Sequence, residues 1–149
     1  MSPIPCQTIH PRGHWAQADA RCVLTYDQRF LRRKVLTSDA NERFLVDLEA
    51  TRSLNDGEAF ELEDGRLIAI VAAPEPLLQV TGPDLVRIAW HVGNRHTPCQ
   101  IEGDRLLIQR DHVINDMLVK IGATVTEVVE PFTPEGGAYG HGRTHGHAH

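Results

Sequence analysis

Thr81-Gly82-Pro83-Asp84-Leu85-Val86-Arg87-Ile88-Ala89-Trp90-His91-Val92-Gly93-Asn94 decides how the second half of this chain folds. Gly82-Pro83-Asp84 reads as a helix start, with proline in the entry region. Leu85, Ile88, Ala89 and Val92 then recur at helical spacing and form one apolar face, and Gly93-Asn94 reads as the stop. Upstream, Leu77 to Thr81 reads as a short strand. Downstream, Cys99-Gln100-Ile101 and Leu106-Leu107-Ile108 flank Glu102-Gly103-Asp104, a strand pair around a tight turn. Asp111 can cap a second helix with Val113, Ile114, Met117, Leu118 and Ile121 buried and Gly122 as its end, and Thr124 to Val129 is rich in β-formers. The order is β-α-β-β-α-β, a ferredoxin-like arrangement expected over residues 74–133.

The first half has the other periodicity. Phe44, Val46 and Leu48 alternate with polar neighbours, as do Phe60 and Leu62, which marks half-buried strands. Asp64-Gly65 supplies a hairpin turn before Leu67-Ile68-Ala69-Ile70-Val71, and Ser38-Asp39-Ala40-Asn41 separates two earlier extended runs. Residues 21–73 are therefore expected to form a small antiparallel β domain, making the whole chain α+β. Pro3, Pro5, Pro11 and Gly13 suggest that residues 1–20 are a mobile leader, and Ala73-Pro74-Glu75-Pro76 reads as a stiff linker.

Composition excludes several classes. Hydrophobic residues at 41% and charged residues at 23% describe an ordinary globular chain. A net charge of −5 gives no global basic field for nucleic acid. No apolar run approaches the ~18 residues of a membrane span, and the N-terminus has no secretory core. Three cysteines without a C-x-x-C (Cys6, Cys22, Cys99) favour a reducing cytosol over a disulfide framework.

Residues 134–149 are expected to be a flexible His-rich tail, in which His141, His145, His147 and His149 are four of the nine histidines. Neutral imidazole is a good nitrogen ligand for Ni(II), Cu(II) and Zn(II), so such a tail collects metal. Purification tags are usually unbroken runs, whereas this one is interrupted by Gly, Arg, Thr and Ala; solvation alone does not explain the use of histidine. Inside the fold, His96 follows the first helix. A dimer formed through that element would present the same imidazole twice across a two-fold axis, half of a tetrahedral site. Domains of this size bury little surface alone, which makes association a physical expectation. His91 lies on the polar stripe Asp84-Arg87-His91 and reads more readily as an exposed helix residue than as a primary ligand. His112 opens the second helix, where the partial positive charge keeps imidazole neutral, and is an accessory candidate. Cys99 reads as a small core residue; His10 and His14 are assigned nothing. The basic run Arg29-Phe30-Leu31-Arg32-Arg33-Lys34 reads as a solvated strand that discourages edge pairing, or else as a docking surface for an acidic partner.

Four stretches together resemble the UreE family of urease accessory metallochaperones: Trp90-His91-Val92-Gly93-Asn94-Arg95-His96, Arg110-Asp111-His112-Val113, Asp116-Met117-Leu118 and Pro131-Phe132-Thr133-Pro134-Glu135-Gly136-Gly137-Ala138-Tyr139. The resemblance covers roughly residues 21–149. It implies a cytoplasmic homodimer that binds Ni(II) and delivers it to urease, working with the accessory GTPase UreG and other accessory proteins. It also implies a peptide-binding N-terminal domain, His96 as the interface ligand, the tail histidines as a metal-collecting arm, and His91 and His112 as secondary sites. Two features depart from the family. Arg110 stands where some members have a histidine two places before His112, and a cation there would repel metal. The leader before Arg21 is also longer than the family needs.

No nucleophile elbow, phosphate-cradling Gly-x-x-x-x-Gly-Lys, H-E-x-x-H or carboxylate pair points to an enzyme. Passive storage or buffering of nickel or zinc would use the same tail. A buffer, however, has no need of a β domain with a basic surface.

Overall fold

The computed structural model describes residues 2–136. The chain divides into two compact units between Ala73 and Pro74. The whole is α+β, mostly strands with two α-helices among the described residues.

The first unit is a six-stranded sheet in the order β2-β6-β5-β1-β4-β3. Its strands are β1 (Ile4–His10), β2 (Ala20–Leu24), β3 (Phe30–Thr37), β4 (Arg43–Ser53), β5 (Ala59–Leu62) and β6 (Leu67–Ala72). The expected alternation is present, with Phe44, Val46 and Leu48 all buried on one face of β4. The β3–β4 and β5–β6 hairpins turn at Ser38–Asn41 and Asp64–Gly65. In the first, Asn41 takes the left-handed conformation at φ 61°.

Two expectations need correction here. The segment read as a mobile leader contains β1, which lies in the middle of the sheet, parallel to β4 and antiparallel to β5. Pro5 is tolerated because it sits next to the strand's start, close to a bulge between Cys6 and Thr8. Pro11 and Gly13 (φ 83°) make the turn that ends β1, where His14 N–H donates to the Pro11 carbonyl at 3.1 Å. The indole N–H of Trp15 then donates to the Gly57 carbonyl at 3.0 Å and ties down the following loop. Because β1 pairs parallel to β4 and β2 pairs parallel to β6, the sheet is mixed, not antiparallel. Its two edges are stitched together. Arg21 N–H donates to Asp39 Oδ1 at 2.9 Å, and Asp39 N–H donates to the Arg21 carbonyl at 2.8 Å.

The basic run on β3 is not uniformly solvated. Arg29, in the 3-10 turn Asp27–Arg29 that precedes β3, is 2% exposed. Its Nη1 donates to the Leu24 carbonyl at 2.8 Å and its Nε to the Leu54 carbonyl at 3.2 Å. The guanidinium lies over the Tyr26 ring, 5.8 Å from its centroid. Only Arg32, Arg33 and Lys34 reach solvent, with Arg33 paired to Asp47 at 3.1 Å. Arg29 is thus an internal fastener.

The second unit is a four-stranded sheet, β10-β7-β9-β8. Its elements run β7 (Pro74–Thr81), α1 (Leu85–Asn94), β8 (Cys99–Ile101), β9 (Leu106–Gln109), α2 (His112–Lys120), β10 (Thr124–Pro131). All pairings are antiparallel, and the order is β-α-β-β-α-β. Both helices begin where the sequence places them, and Asp111 caps the second as expected. Asp84 accepts from Arg87 N–H at 3.3 Å, and Asp111 accepts from Val113 and Ile114 N–H at 2.9 and 3.1 Å. Each cap is worth about 1 kcal/mol. Ile88 and Val92 of α1, with Ile114 and Leu118 of α2, pack on Leu78, Val80, Leu106 and Ile108 of the sheet.

Two departures belong to this unit. Ala73-Pro74-Glu75-Pro76 is not a linker, since Pro74 opens β7 and pairs with Pro131. Both prolines precede Leu77, the first residue of β7 that pairs with β9, so neither is needed as a donor to that strand. Val113 and Ile121, expected inside, are 53% and 40% exposed. Alpha2 buries only the narrow stripe Ile114–Leu118.

Candidate metal centre

Alpha1 ends at Asn94, where the sequence placed its stop. Its C-cap is Arg95, whose N–H reaches the Val92 carbonyl at 3.1 Å, and His96 N–H bonds the Gly93 carbonyl at 2.9 Å. His96 itself has φ 58°. The left-handed position just beyond a helix is the one glycine usually fills, because a Cβ there costs about 1 kcal/mol. Here glycine stands three residues too early, and histidine occupies the strained position. Strain kept at one residue of a loop is a marker of function when a cheaper residue would serve the backbone.

The helix leading to His96 shows a second unusual feature. Ile88 and Val92 face the core, yet Val86 is 84% and Trp90 63% exposed. Positions 86, 90 and 93 share one helical face, so an apolar stripe runs along α1 toward the loop that carries His96. Scattered exposed apolar residues mean little; a tryptophan and a valine aligned beside a strained histidine mean more.

The remaining candidates stand apart. His91 is half-buried, with its ring edge-on to Trp90 at 5.1 Å between centroids. His112 is exposed in the first turn of α2. Among the described residues no three His, Cys, Asp or Glu side chains come together to hold a metal, so His96, His91 and His112 do not form a three-ligand set within one chain. Burial pushes the Cys99 thiol up to about 11, and Cys6 and Cys22 likewise. All three are protonated thiols at neutral pH and poor ligands. Arg110, expected to trouble the His112 site, is committed to the sheet. Its Nε and Nη2 donate to the Leu77 and Val128 carbonyls at 3.1 Å each. His141, His145, His147 and His149 lie outside the described residues, as do residues 137–149 of the expected tail.

One part of the site was not foreseen. After β10 the chain runs back across the sheet to β8, the opposite edge. Thr133 N–H donates to the Gln100 side-chain oxygen at 2.8 Å, and Glu135 N–H to the Cys99 carbonyl at 2.9 Å. Phe132 is fully buried. Cys99 is three residues from His96, at most about 11 Å along the chain. The last described residues therefore end beside the His96 loop.

Comparison with known proteins agrees with the resemblance in the sequence. Residues 5–73 match the N-terminal domain of the UreE urease accessory protein, and residues 75–149 match its C-terminal domain. The chain belongs to the UreE family. The urease accessory protein UreE of Ruegeria pomeroyi is 70% identical over 144 residues, covering 97% of each chain. That of Cereibacter sphaeroides is 60% identical over 151 residues, covering all of this chain and 82% of the relative. The N-terminal match begins at residue 5, so residues 5–20, read as an extra leader, belong to the family's N-terminal domain and carry β1. UreE proteins are accessory proteins, not enzymes. Among the described residues no helix is long and apolar enough to cross a membrane.

Proposed function

We propose that this UreE protein is a nickel carrier in urease maturation, with Ni(II) as cargo and His96 as its fixed ligand. The observation that carries the proposal is the strained His96 at the end of the exposed Val86–Trp90 stripe. A single imidazole holds metal weakly. A second copy of the chain, docked through that stripe about a two-fold axis, buries Val86 and Trp90 and brings a second His96 to the same ion. The tail histidines His141, His145, His147 and His149 collect the metal and supply further positions. His141 lies five residues after Gly136, a length that reaches at most about 18 Å. His91 and His112 are secondary sites, and Zn(II) or Cu(II) can occupy the same nitrogens. The ion leaves by ligand exchange to the urease apoprotein, with the GTPase UreG and other accessory proteins taking part in the cytoplasm.

Proton and metal compete for the same imidazole nitrogen, and the charged ring cannot ligate. Nickel affinity is therefore expected to fall by at least tenfold between pH 8 and pH 5.5, as read by calorimetric titration. An equal binding constant at both pH values excludes histidine ligation.

A further inference from the structure

A cavity of about 370 Å³ opens on the first unit, where the loop that begins at Trp15 enters β2 beside β6. Its deepest lining residue is Ala69, which is buried, and Ala20 is half-buried beside it. Two methyl groups where larger side chains could stand leave the space open. Trp15 forms a wall, and its indole is fixed in place because the ring N–H donates to the Gly57 carbonyl at 3.0 Å.

Two carboxylates line the same space, Asp19 and Asp39. Each is anchored through one oxygen. Leu67 N–H donates to Asp19 Oδ2 at 2.9 Å, and Arg21 N–H donates to Asp39 Oδ1 at 2.9 Å. The second anchor brings Asp39 from the β3–β4 turn to the backbone of Arg21, two residues from Asp19. Among the described residues, neither Asp19 Oδ1 nor Asp39 Oδ2 accepts a hydrogen bond. Arg21 also lines the cavity, and among the described residues its guanidinium forms no ion pair. Two carboxylates against one guanidinium leave an excess negative charge beside an aromatic wall.

We propose that this cavity takes the arginine side chain of a partner protein, with the guanidinium on the Trp15 indole and its N–H groups on the free oxygens of Asp19 and Asp39. A planar, permanently charged fork suits this lining, because it stacks on an aromatic ring and donates to carboxylates at once. Asp19, Arg21 and Asp39 are all exposed, so the cavity covers the tip of a long side chain and leaves its backbone outside. A free small ligand needs most of its own surface covered, which so open a site does not provide. Every lining residue belongs to the first unit, and the proposal stands independently of the nickel reading.

The test titrates the full chain with the capped peptide acetyl-Gly-Gly-Arg-Gly-Gly-amide, read from the NMR signal of the Trp15 indole N–H. A dissociation constant on the order of 1 mM is expected for one side chain held by an aromatic ring and charged hydrogen bonds. The same peptide with citrulline, which keeps the shape and loses the charge, should bind about tenfold more weakly. Asp19→Asn and Asp39→Asn each keep an oxygen for the backbone N–H, so the cavity keeps its walls. Each is expected to weaken binding about three- to tenfold. Arg21→Ala removes the competing cation and should strengthen binding about twofold. Equal binding of the arginine and citrulline peptides overturns the proposal, as do asparagine variants that bind like wild type. A Trp15 signal unmoved at about ten times the expected dissociation constant overturns it as well. Agmatine, a free guanidinium compound, is titrated in parallel; if it binds more than about tenfold tighter than the peptide, the ligand is a small molecule and the partner is excluded.

Discussion

Replacing His96 with glycine is expected to abolish tight nickel binding and to leave the fold at least as stable as wild type. The two halves of this result have separate causes. On the proposed reading, removing the imidazole takes one ligand from each copy of the chain. Losing even an outer-shell partner of a metal ligand costs 10–100-fold, so losing the ligand itself should cost about a hundredfold or more. Glycine meanwhile relieves the left-handed backbone at φ 58°, a gain of up to about 1 kcal/mol. Alanine at the same place removes the ligand and keeps the strain, which makes it the matched control. Titration with Ni(II) and urea unfolding of the three proteins separate the effects. If glycine lowers stability instead, His96 is a structural residue and its strained backbone has another cause. Serine at the four tail histidines gives the complementary result: fewer ions bound, with one tight site per two chains retained.

The largest loss of stability outside the metal site is expected at Arg29. Its Nη1 and Nε donate to the Leu24 and Leu54 carbonyls, inside the first unit. Arg29→Ala leaves both acceptors buried without those donors and opens a cavity the size of a guanidinium arm. Each such hydrogen bond to a charged group is worth about 1.5–3 kcal/mol, so a loss of about 3–5 kcal/mol is expected. That is a large fraction of the 5–15 kcal/mol typical of a folded domain. Lysine should recover little, because a single ammonium cannot reproduce the forked geometry. Arg32→Ala, on the exposed part of β3, should change stability by less than about 0.5 kcal/mol. A loss below 1 kcal/mol for Arg29→Ala in denaturant titration would contradict the internal role.

The helices were legible because their signals are local. Asp84 and Asp111 cap within three residues, and Ile88–Val92 and Ile114–Leu118 repeat at helical spacing. The strand Ile4–His10 and the start of Pro74–Thr81, before Leu77, were not legible. Their prolines read as breakers, and only the pairing partners, Phe44–Val46 and Val129–Pro131 among them, make these prolines tolerable. His96 was identified as a candidate, but its left-handed backbone was not, because no glycine follows the helix end at Asn94 to mark the position. The return of the chain from β10 to β8 includes a hydrogen bond between residues 100 and 133, a separation no sequence period records. The burial of Arg29 was hidden for the same reason: its acceptor Leu54 lies 25 residues away.

Whether two copies of the chain share one nickel ion through His96, as proposed, is decided by a crystal structure of the full chain grown with Ni(II). The expected result is an ion on a two-fold axis, with a His96 imidazole from each copy bound at about 2 Å and Val86 and Trp90 buried between the two α1 helices. His96 side chains pointing apart, with the ion elsewhere or the α1 stripe facing solvent, would contradict it.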